Sequence, residues 1–168
     1  MRQVFIPSDF QIPKKVELGN YFLIPISTKN VAEDLEVLTN NAEAIVRQRG
    51  GGESKNRWPY KFTLEENYKD LAWLETCANL RQLFVYVLRD KKNNNYVGCV
   101  YIYPIELFYP NLAKKYDVDF SFWIVQSEFN RGTYDEIFKK ILTWLIQNWP
   151  FKRERIFLRN KLIPEGLT

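Results

Sequence analysis

The stretch VQSEFNRGTYDEIF, from Val125 to Phe138, decides the fold because it joins a predicted strand to the clearest predicted helix. The strand is VDFSFWIV, residues 118–125, in which strongly apolar and less apolar residues alternate. A short strand, RIFLRN, follows the helix at residues 155–160. Strand, helix and strand in this order predict two parallel strands joined by a right-handed crossover. The helix is predicted from apolar residues at helical spacing: Tyr134, Ile137, Phe138, Ile141, Leu142 and Leu145.

The rest of the chain predicts more strands and two more helices. Strands are expected at NYFLIPIS (20–27), LFVYVLRD (83–90) and YVGCVYIY (96–103), and helices at residues 30–46 and 63–80. The last two of these strands flank a polar turn and predict an antiparallel hairpin. We therefore expect a single α/β (α+β) domain over residues 1–168, with an extended lead-in at 1–19. Its sheet is expected to be mixed, mostly antiparallel and flanked by helices.

Three helix starts carry the spacing of a capping box, in which a capping side chain and a Glu three residues later bond each other's backbone. Thr63 with Glu66 and Thr133 with Glu136 match it fully, and Asn30 with Glu33 has the same spacing. Gly50 is predicted to end the helix that begins at Asn30.

Composition excludes several classes of site. The 168 residues include no histidine and only two cysteines, which rules out His-dependent triads and zinc sites that need imidazole, and we predict no metal site. No apolar run is long enough for a bilayer and the N-terminus lacks a secretory core, so we expect no membrane partner. Cys77 and Cys99 lie in a predicted helix and a predicted strand, which indicates buried thiols and a reducing, cytoplasmic setting. The net charge is +4. The basic cluster at 152–161 is interpreted as a solvated strand edge rather than a nucleic-acid site.

Three segments, in this order, resemble the GNAT superfamily of acyl-CoA-dependent N-acyltransferases: TLEENYKDL (63–71), YVGCVYIYP (96–104) and the stretch at 118–145. The resemblance covers about residues 20–160. It implies a GNAT-like sheet, acetyl-CoA as acyl donor, and direct attack by a primary amine of a small molecule or peptide. It also implies that the cofactor is bound by Ile124, Val125, Asn130, Arg131, Gly132, Thr133 and Tyr134.

The cofactor turn departs from the family pattern Arg/Gln-x-x-Gly-x-Gly/Ala. Whether Asn130 or Arg131 is aligned with the first position of the pattern, its two small residues are missing, and Gly132 is the only glycine of the turn. Asp135 and Glu136 open the helix, where they complement its dipole and would repel a pyrophosphate. The turn is therefore interpreted either as an atypical phosphate site, with Arg131 and Thr133 as donors, or as the plain start of a self-capped helix.

The resemblance places the catalytic base at Asp119. Alternation puts Asp119 with Ser121 and Trp123 on the less apolar face of its strand, where a substrate cleft could lie. The alternative is a solvated or ion-paired aspartate, and Asp117 is a weaker candidate.

Trp58 and Tyr60 lie in the segment where the family binds its acceptor. They are interpreted as acceptor-binding residues or as part of the core. No tyrosine follows Tyr134, and we expect a truncated C-terminal end, which leaves the general acid unassigned.

Two functions follow from these patterns. As an N-acetyltransferase, the protein needs an open cleft between the strand at 118–125 and the last strand. As a catalytically silent binding or assembly module of the same fold, it should have that cleft filled by side chains such as Trp123 or Tyr134.

Overall fold

The computed structural model describes residues 4–53, 57–60 and 62–167. Residues 1–3 of the predicted lead-in and residues 54–56, 61 and 168 lie outside the described residues. The strands are β1 (Val16–Leu18), β2 (Tyr21–Pro25), β3 (Phe84–Asp90), β4 (Tyr96–Pro104), β5 (Val118–Ile124) and β6 (Ile156–Leu158). The helices are α1 (Val31–Gln48), α2 (Leu64–Asn79), α3 (Gln126–Asn130) and α4 (Tyr134–Asn148).

The six strands form one sheet in the order β1-β2-β3-β4-β5-β6. Neighbouring strands are antiparallel except β5 and β6, which are parallel and joined through α4. The predicted mixed, mostly antiparallel sheet and its parallel pair are confirmed. Two elements differ from expectation: the lead-in contains β1, and the turn after β5 contains the short helix α3.

Each face of the sheet is covered by helices, and this determines where a site can form. On one face, Phe122 packs edge-on against Phe138 of α4, with ring centroids 5.0 Å apart. The other face carries Asp119 and Ser121 of β5, which lie opposite Tyr103 and Tyr101 of β4. All seven residues of β5 are buried, so this strand has no solvent-exposed face.

The helix caps only partly follow the predicted spacing. The Thr63–Glu66 capping box is present with both hydrogen bonds. The box predicted at Thr133 is wrong, because the Thr133 hydroxyl donates to the Glu128 carbonyl (3.0 Å) instead. The Asn30 box is also wrong, since Asn30 makes no side-chain cap bond. Gly50 follows the end of α1 with φ +99°, and its N–H donates to the Val46 carbonyl, as a helix-ending glycine does.

The basic cluster at 152–161 is largely engaged within the fold rather than solvated. Arg155 pairs with Asp117 through its Nε (3.0 Å), and Arg159 pairs with Asp119. Arg153 donates to the carbonyl oxygens of Ile156 and Leu167. Over the described part of the chain, no helix combines the length and the apolar character needed to cross a membrane.

Candidate functional site

A cavity of about 510 Å³ lies between helices α1 and α2 and the Tyr101–Tyr103 face of the sheet. Its volume is in the range of small-molecule sites. Apolar residues of α1 and α2 close one side, and aromatic residues of β4 and the following loop close another. The charged residues that line it are Asp34, Arg49, Glu53, Asp70, Arg159 and Lys161.

Arg49 is the most buried cation of the cavity, at 8% exposure. Its Nε donates to the Ser121 hydroxyl (2.8 Å), and its guanidinium carbon lies 4.1 Å from the Tyr101 ring centroid and 5.1 Å from that of Trp58. Among the described residues, no carboxylate lies within ion-pair distance of it. Its terminal nitrogens are therefore available to a ligand in the cavity.

Asp70 is the corresponding anion. It projects from α2, is half-buried, and has no hydrogen-bond or ion-pair partner in the described part of the chain. Burial raises its pKa to about 6, the Asp34 carboxylate adds to the rise, and Arg49 opposes it. A carboxylate with a shifted pKa in a cavity is typical of a functional group.

The remaining buried charges of the cavity have partners. Asp34 accepts hydrogen bonds from the Tyr96 hydroxyl (2.6 Å) and the Asn67 amide (2.9 Å). Arg159 is held by Asp119 and stacks 4.8 Å from the Phe108 ring centroid. These groups form the walls of the cavity, whereas Arg49 and Asp70 remain to meet a ligand.

Asp119, the predicted base, is fully buried, and both of its oxygens accept hydrogen bonds from Arg159. Burial raises its pKa, while the Arg159 guanidinium acts in the opposite direction. The cavity does lie on the predicted face of the strand, but Asp119 stands behind Arg159 rather than in the cavity lining. Asp119 is ion-paired in this geometry, as in the alternative that the sequence left open, and its assignment as the base stays a prediction.

The edge of β5 beyond Phe120 is where the resemblance places acetyl-CoA, and side chains occupy it. The Phe122 N–H donates to the Asn160 Oδ1 (3.0 Å), and the Asn160 Nδ2 donates to the Phe122 carbonyl (2.9 Å). Gln48 pairs in the same way with the N–H and carbonyl of Ile124, at 2.8 Å each. Two amides thus take the place of a neighbouring strand, and both backbone N–H groups are satisfied.

Tyr134 completes this closure from α4. Its ring stacks on Phe122 (5.2 Å between centroids), and its hydroxyl donates to the Leu162 carbonyl (2.6 Å) while accepting from Asn160 (2.8 Å). The segment after β6 is tied to α1 as well, because the Lys161 N–H donates to the Gln48 carbonyl (2.9 Å). We call Gln48, Tyr134 and Asn160 the cleft-closing residues.

The predicted cofactor turn is also engaged internally. Arg131 pairs with the buried Glu128 (3.0 Å), which accepts a further hydrogen bond from Tyr21 (2.6 Å). Gly132, at φ +77°, follows the end of α3. The amide oxygen of Asn130 accepts from Gln126, and the Val125 N–H donates to Val97.

A second cavity beside this turn is acidic. Four of its lining residues are carboxylates (Glu33, Glu36, Asp90 and Glu128), and Arg131 is the cation among those that line it. Glu33 is paired with Arg89 and Glu128 with Arg131, so Glu36 and Asp90 supply the negative charge that opposes a pyrophosphate here. In the described part of the chain, no group of three or more Cys, Asp or Glu residues is placed to hold a metal ion.

The two predicted acceptor-binding residues differ in position. Trp58 lines the first cavity, edge-on to Tyr101 at 6.2 Å between ring centroids. Tyr60 is not among the residues that line it. The Tyr60 ring covers Gly52 instead, so closely that a Cβ there would lie 3.0 Å from it.

Comparison with solved structures identifies the fold. A ribosomal-protein-S5-alanine acetyltransferase from Vibrio fischeri aligns with a TM-score of 0.58 and 15% identity, over 79% of this chain and 67% of that chain. The chain has the GNAT fold. A ribosomal L7/L12 alpha-N-protein acetyltransferase in complex with coenzyme A gives 0.58 and 14%, over 79% and 68%. A spermidine N-acetyltransferase chimera from Vibrio cholerae and hSSAT gives 0.50 and 12%, over 76% and 64%.

Sequence comparisons add nothing to this result, since neither a protein-family model nor a curated protein matches the chain. At these identities the likeness to acetyltransferases establishes the GNAT fold alone.

Four residues of the two sites were missed by the sequence interpretation: Gln48, Arg49, Asp70 and Asn160. Gln48 and Arg49 precede the glycines that follow α1. The glycines predicted the end of a helix there, but nothing in the sequence predicted a binding site. Asp70 lies one residue before the apolar Leu71, so helical spacing could have placed it at the boundary of the buried face.

Replacing Asp70 with Asn is expected to make the unliganded protein about 1–2 kcal/mol more stable at pH 8 and to leave it unchanged near pH 4. The folded-state pKa of about 6 exceeds the ordinary value of 3.8, so the folded state of the wild type is increasingly penalised as the pH rises from 4 to 6. Asp34 and Arg49 are the charged groups that act on Asp70. Urea denaturation across this pH range measures the difference.

The matched control is Glu43→Gln, which changes an exposed carboxylate of α1. Its free energy of unfolding should differ little from that of the wild type, and the difference should not change between pH 4 and pH 8. An Asp70→Asn protein less stable than the wild type at pH 8 would show that Asp70 supports the fold rather than a site.

Proposed function

We propose that this protein is a ligand-binding member of the GNAT fold in which the acyl-CoA cleft is closed by its own side chains, and that the cavity between α1 and α2 is its working site. One observation carries the proposal. Asn160 and Gln48 occupy the backbone N–H and carbonyl groups of Phe122 and Ile124. A cofactor that docks along this strand edge has to displace four hydrogen bonds made by these two side chains.

Charge supports the same proposal. Asp135 and Glu136 stand in the first turn of α4, and the nearby cavity carries four carboxylates. A helix N-terminus ordinarily favours an anion, but carboxylates in its first turn already complement the dipole. Arg131, the cation of the turn, is engaged by Glu128.

A second candidate is acyl-CoA-dependent N-acetylation of a primary amine, with acetyl-CoA as the donor and a small-molecule or peptide acceptor. The observation that favours it is that the three solved structures compared above are acetyltransferases, one of them in complex with coenzyme A. In that case Asp70, with its raised pKa, is better placed than Asp119 to accept a proton from an amine in the cavity. The Gln48 side chain and residues 159–163 would then have to leave the edge of β5.

The two free cysteines support the expected cytoplasmic location as part of either proposal. Cys77 and Cys99 are both buried and unpaired. Thiols kept in this state are usual in a reducing compartment.

Acetyl-CoA at millimolar concentration is expected to leave the thermal denaturation midpoint of the protein unchanged. A ligand at about one hundred times its Kd would add about 2.7 kcal/mol, or about 5–10 °C for a chain of this length. Free CoA serves as the parallel sample, because it shares the pyrophosphate and pantetheine. A clear upward shift with both would overturn the closed-cleft proposal in favour of the second candidate.

A further inference from the structure

The cavity holds one positive and one negative group that make no direct ion pair with a described side chain, although Arg49 acts at longer range on the Asp70 and Asp119 carboxylates. Arg49 is buried and bonded through Nε to a neutral hydroxyl, and Asp70 has no hydrogen-bond partner in the described ranges. Buried charges are normally paired. Leaving both open in one cavity is costly for the fold, and it is the arrangement expected where a ligand supplies the missing partners.

Aromatic rings line the cavity together with these two groups. Tyr101 and Tyr103 rise from β4 with ring centroids 5.8 Å apart, and Phe108 lies 5.5 Å from Tyr103. Trp58 stands on the side of Arg49. Leu71 and Leu74 of α2 also line the cavity, so a ligand that reaches the two charges also meets apolar surface.

The lining carries charges of both signs, and one of its cations, Arg159, is already paired with Asp119 behind the lining. Three carboxylates (Asp34, Glu53 and Asp70) and three cations (Arg49, Arg159 and Lys161) line the cavity. A simple anion would satisfy Arg49 and be repelled by Asp70, whereas a simple cation would do the reverse. A ligand with both charges and no net charge satisfies both groups.

Resting on the proposed function of this cavity, we propose that the ligand is a small zwitterion, an amino acid with an apolar or aromatic side chain. Its carboxylate binds the Arg49 guanidinium, its ammonium group binds Asp70, and its side chain packs against Tyr103 and Phe108. Arg is the residue best suited to a bidentate bond with a carboxylate, and aromatic rings supply apolar surface with little loss of side-chain entropy.

Calorimetric titration with L-phenylalanine tests this inference. N-acetyl-L-phenylalanine lacks the ammonium charge and L-phenylalaninamide lacks the carboxylate. Each analogue is expected to bind at least about tenfold more weakly, because it leaves one buried charge unpaired. Glycine, which lacks the side chain, should also bind more weakly than L-phenylalanine. Equal binding of the two analogues and the parent, or no binding of any amino acid in an aliphatic and aromatic panel, overturns the inference.

Variants separate the two contacts. Asp70→Asn should lower the affinity for L-phenylalanine and raise that for the N-acetyl analogue, because this anionic analogue is no longer repelled by Asp70. Arg49→Lys keeps the positive charge but loses the planar guanidinium. It should lower the affinity for L-phenylalanine and leave the affinity for L-phenylalaninamide unchanged. Affinity for L-phenylalanine should also fall below about pH 6, as Asp70 takes up a proton beside Asp34 and Arg49. If both variants lose affinity for every ligand to the same extent, the assigned contacts are wrong.

Parallel titration with acetyl-CoA tests the closed-cleft proposal separately from the inferred class of ligand. Binding of acetyl-CoA would overturn the closed-cleft proposal whatever the amino acids do. Absence of binding by both acetyl-CoA and the amino acids would overturn only the ligand class inferred from Arg49 and Asp70.

Discussion

Replacing Asp119 with alanine is expected to destabilise the protein by about 3–5 kcal/mol, because it leaves the Arg159 guanidinium largely buried without its anion. The Asp119 carboxylate has no solvent exposure, and the Arg159 side chain is 15% exposed. Urea denaturation at pH 7 measures the change. A double replacement, Asp119→Leu with Arg159→Met, should recover much of the loss, since an apolar pair of similar size needs no charge compensation.

Asp117 provides a matched control two residues earlier. It forms the same kind of pair with Arg155, but its side chain is 37% exposed and that of Arg155 is 32% exposed. Asp117→Ala should therefore cost at most about 1 kcal/mol. If Asp119→Ala costs no more than Asp117→Ala, the structural role assigned to Asp119 fails and the catalytic assignment regains its place.

Replacing Gln48 with alanine is expected to cost about 2–4 kcal/mol of stability. The Gln48 side chain is 1% exposed and satisfies both backbone polar groups of Ile124. Removing it leaves a buried N–H and carbonyl without partners, each of which carries a desolvation penalty. Chemical denaturation of the purified variant measures the loss.

Gln147→Ala is the control for this change, because Gln147 is an exposed glutamine near the end of α4. It should change stability by less than about 0.5 kcal/mol. A Gln48→Ala protein as stable as this control would mean that water reaches Ile124 readily, and that the cleft is open in solution.

The parts of the fold that sequence predicted are those with local periodicity. The apolar spacing of α4 and the hairpin of β3 and β4 were both readable. Gly98 in β4 has a non-local reason, because a Cβ there would lie 2.4 Å from the Trp123 carbonyl oxygen of β5. Residue alternation placed Asp119 and Ser121 on the face that contains the cavity.

The closure of the cleft could not be predicted in this way. Gln48 and Ile124 are 76 residues apart, and Asn160 and Phe122 are 38 apart. Amide side chains have no distinctive spacing, so nothing in the sequence marks these contacts. The predicted Thr133 capping box is absent for a related reason. The Thr133 hydroxyl donates instead to the Glu128 carbonyl, which the short helix α3 brings within reach.

The most direct test of the closed cleft is native-state amide hydrogen exchange at Phe122 and Ile124. These N–H groups point to the side of β5 that acetyl-CoA would use, and they donate to Asn160 and Gln48. We predict that both amides exchange as slowly as those of the core strand residues Val100 and Ile102, and that adding acetyl-CoA does not change their rates. Rapid exchange in the free protein, with protection appearing only when acetyl-CoA is added, would contradict it.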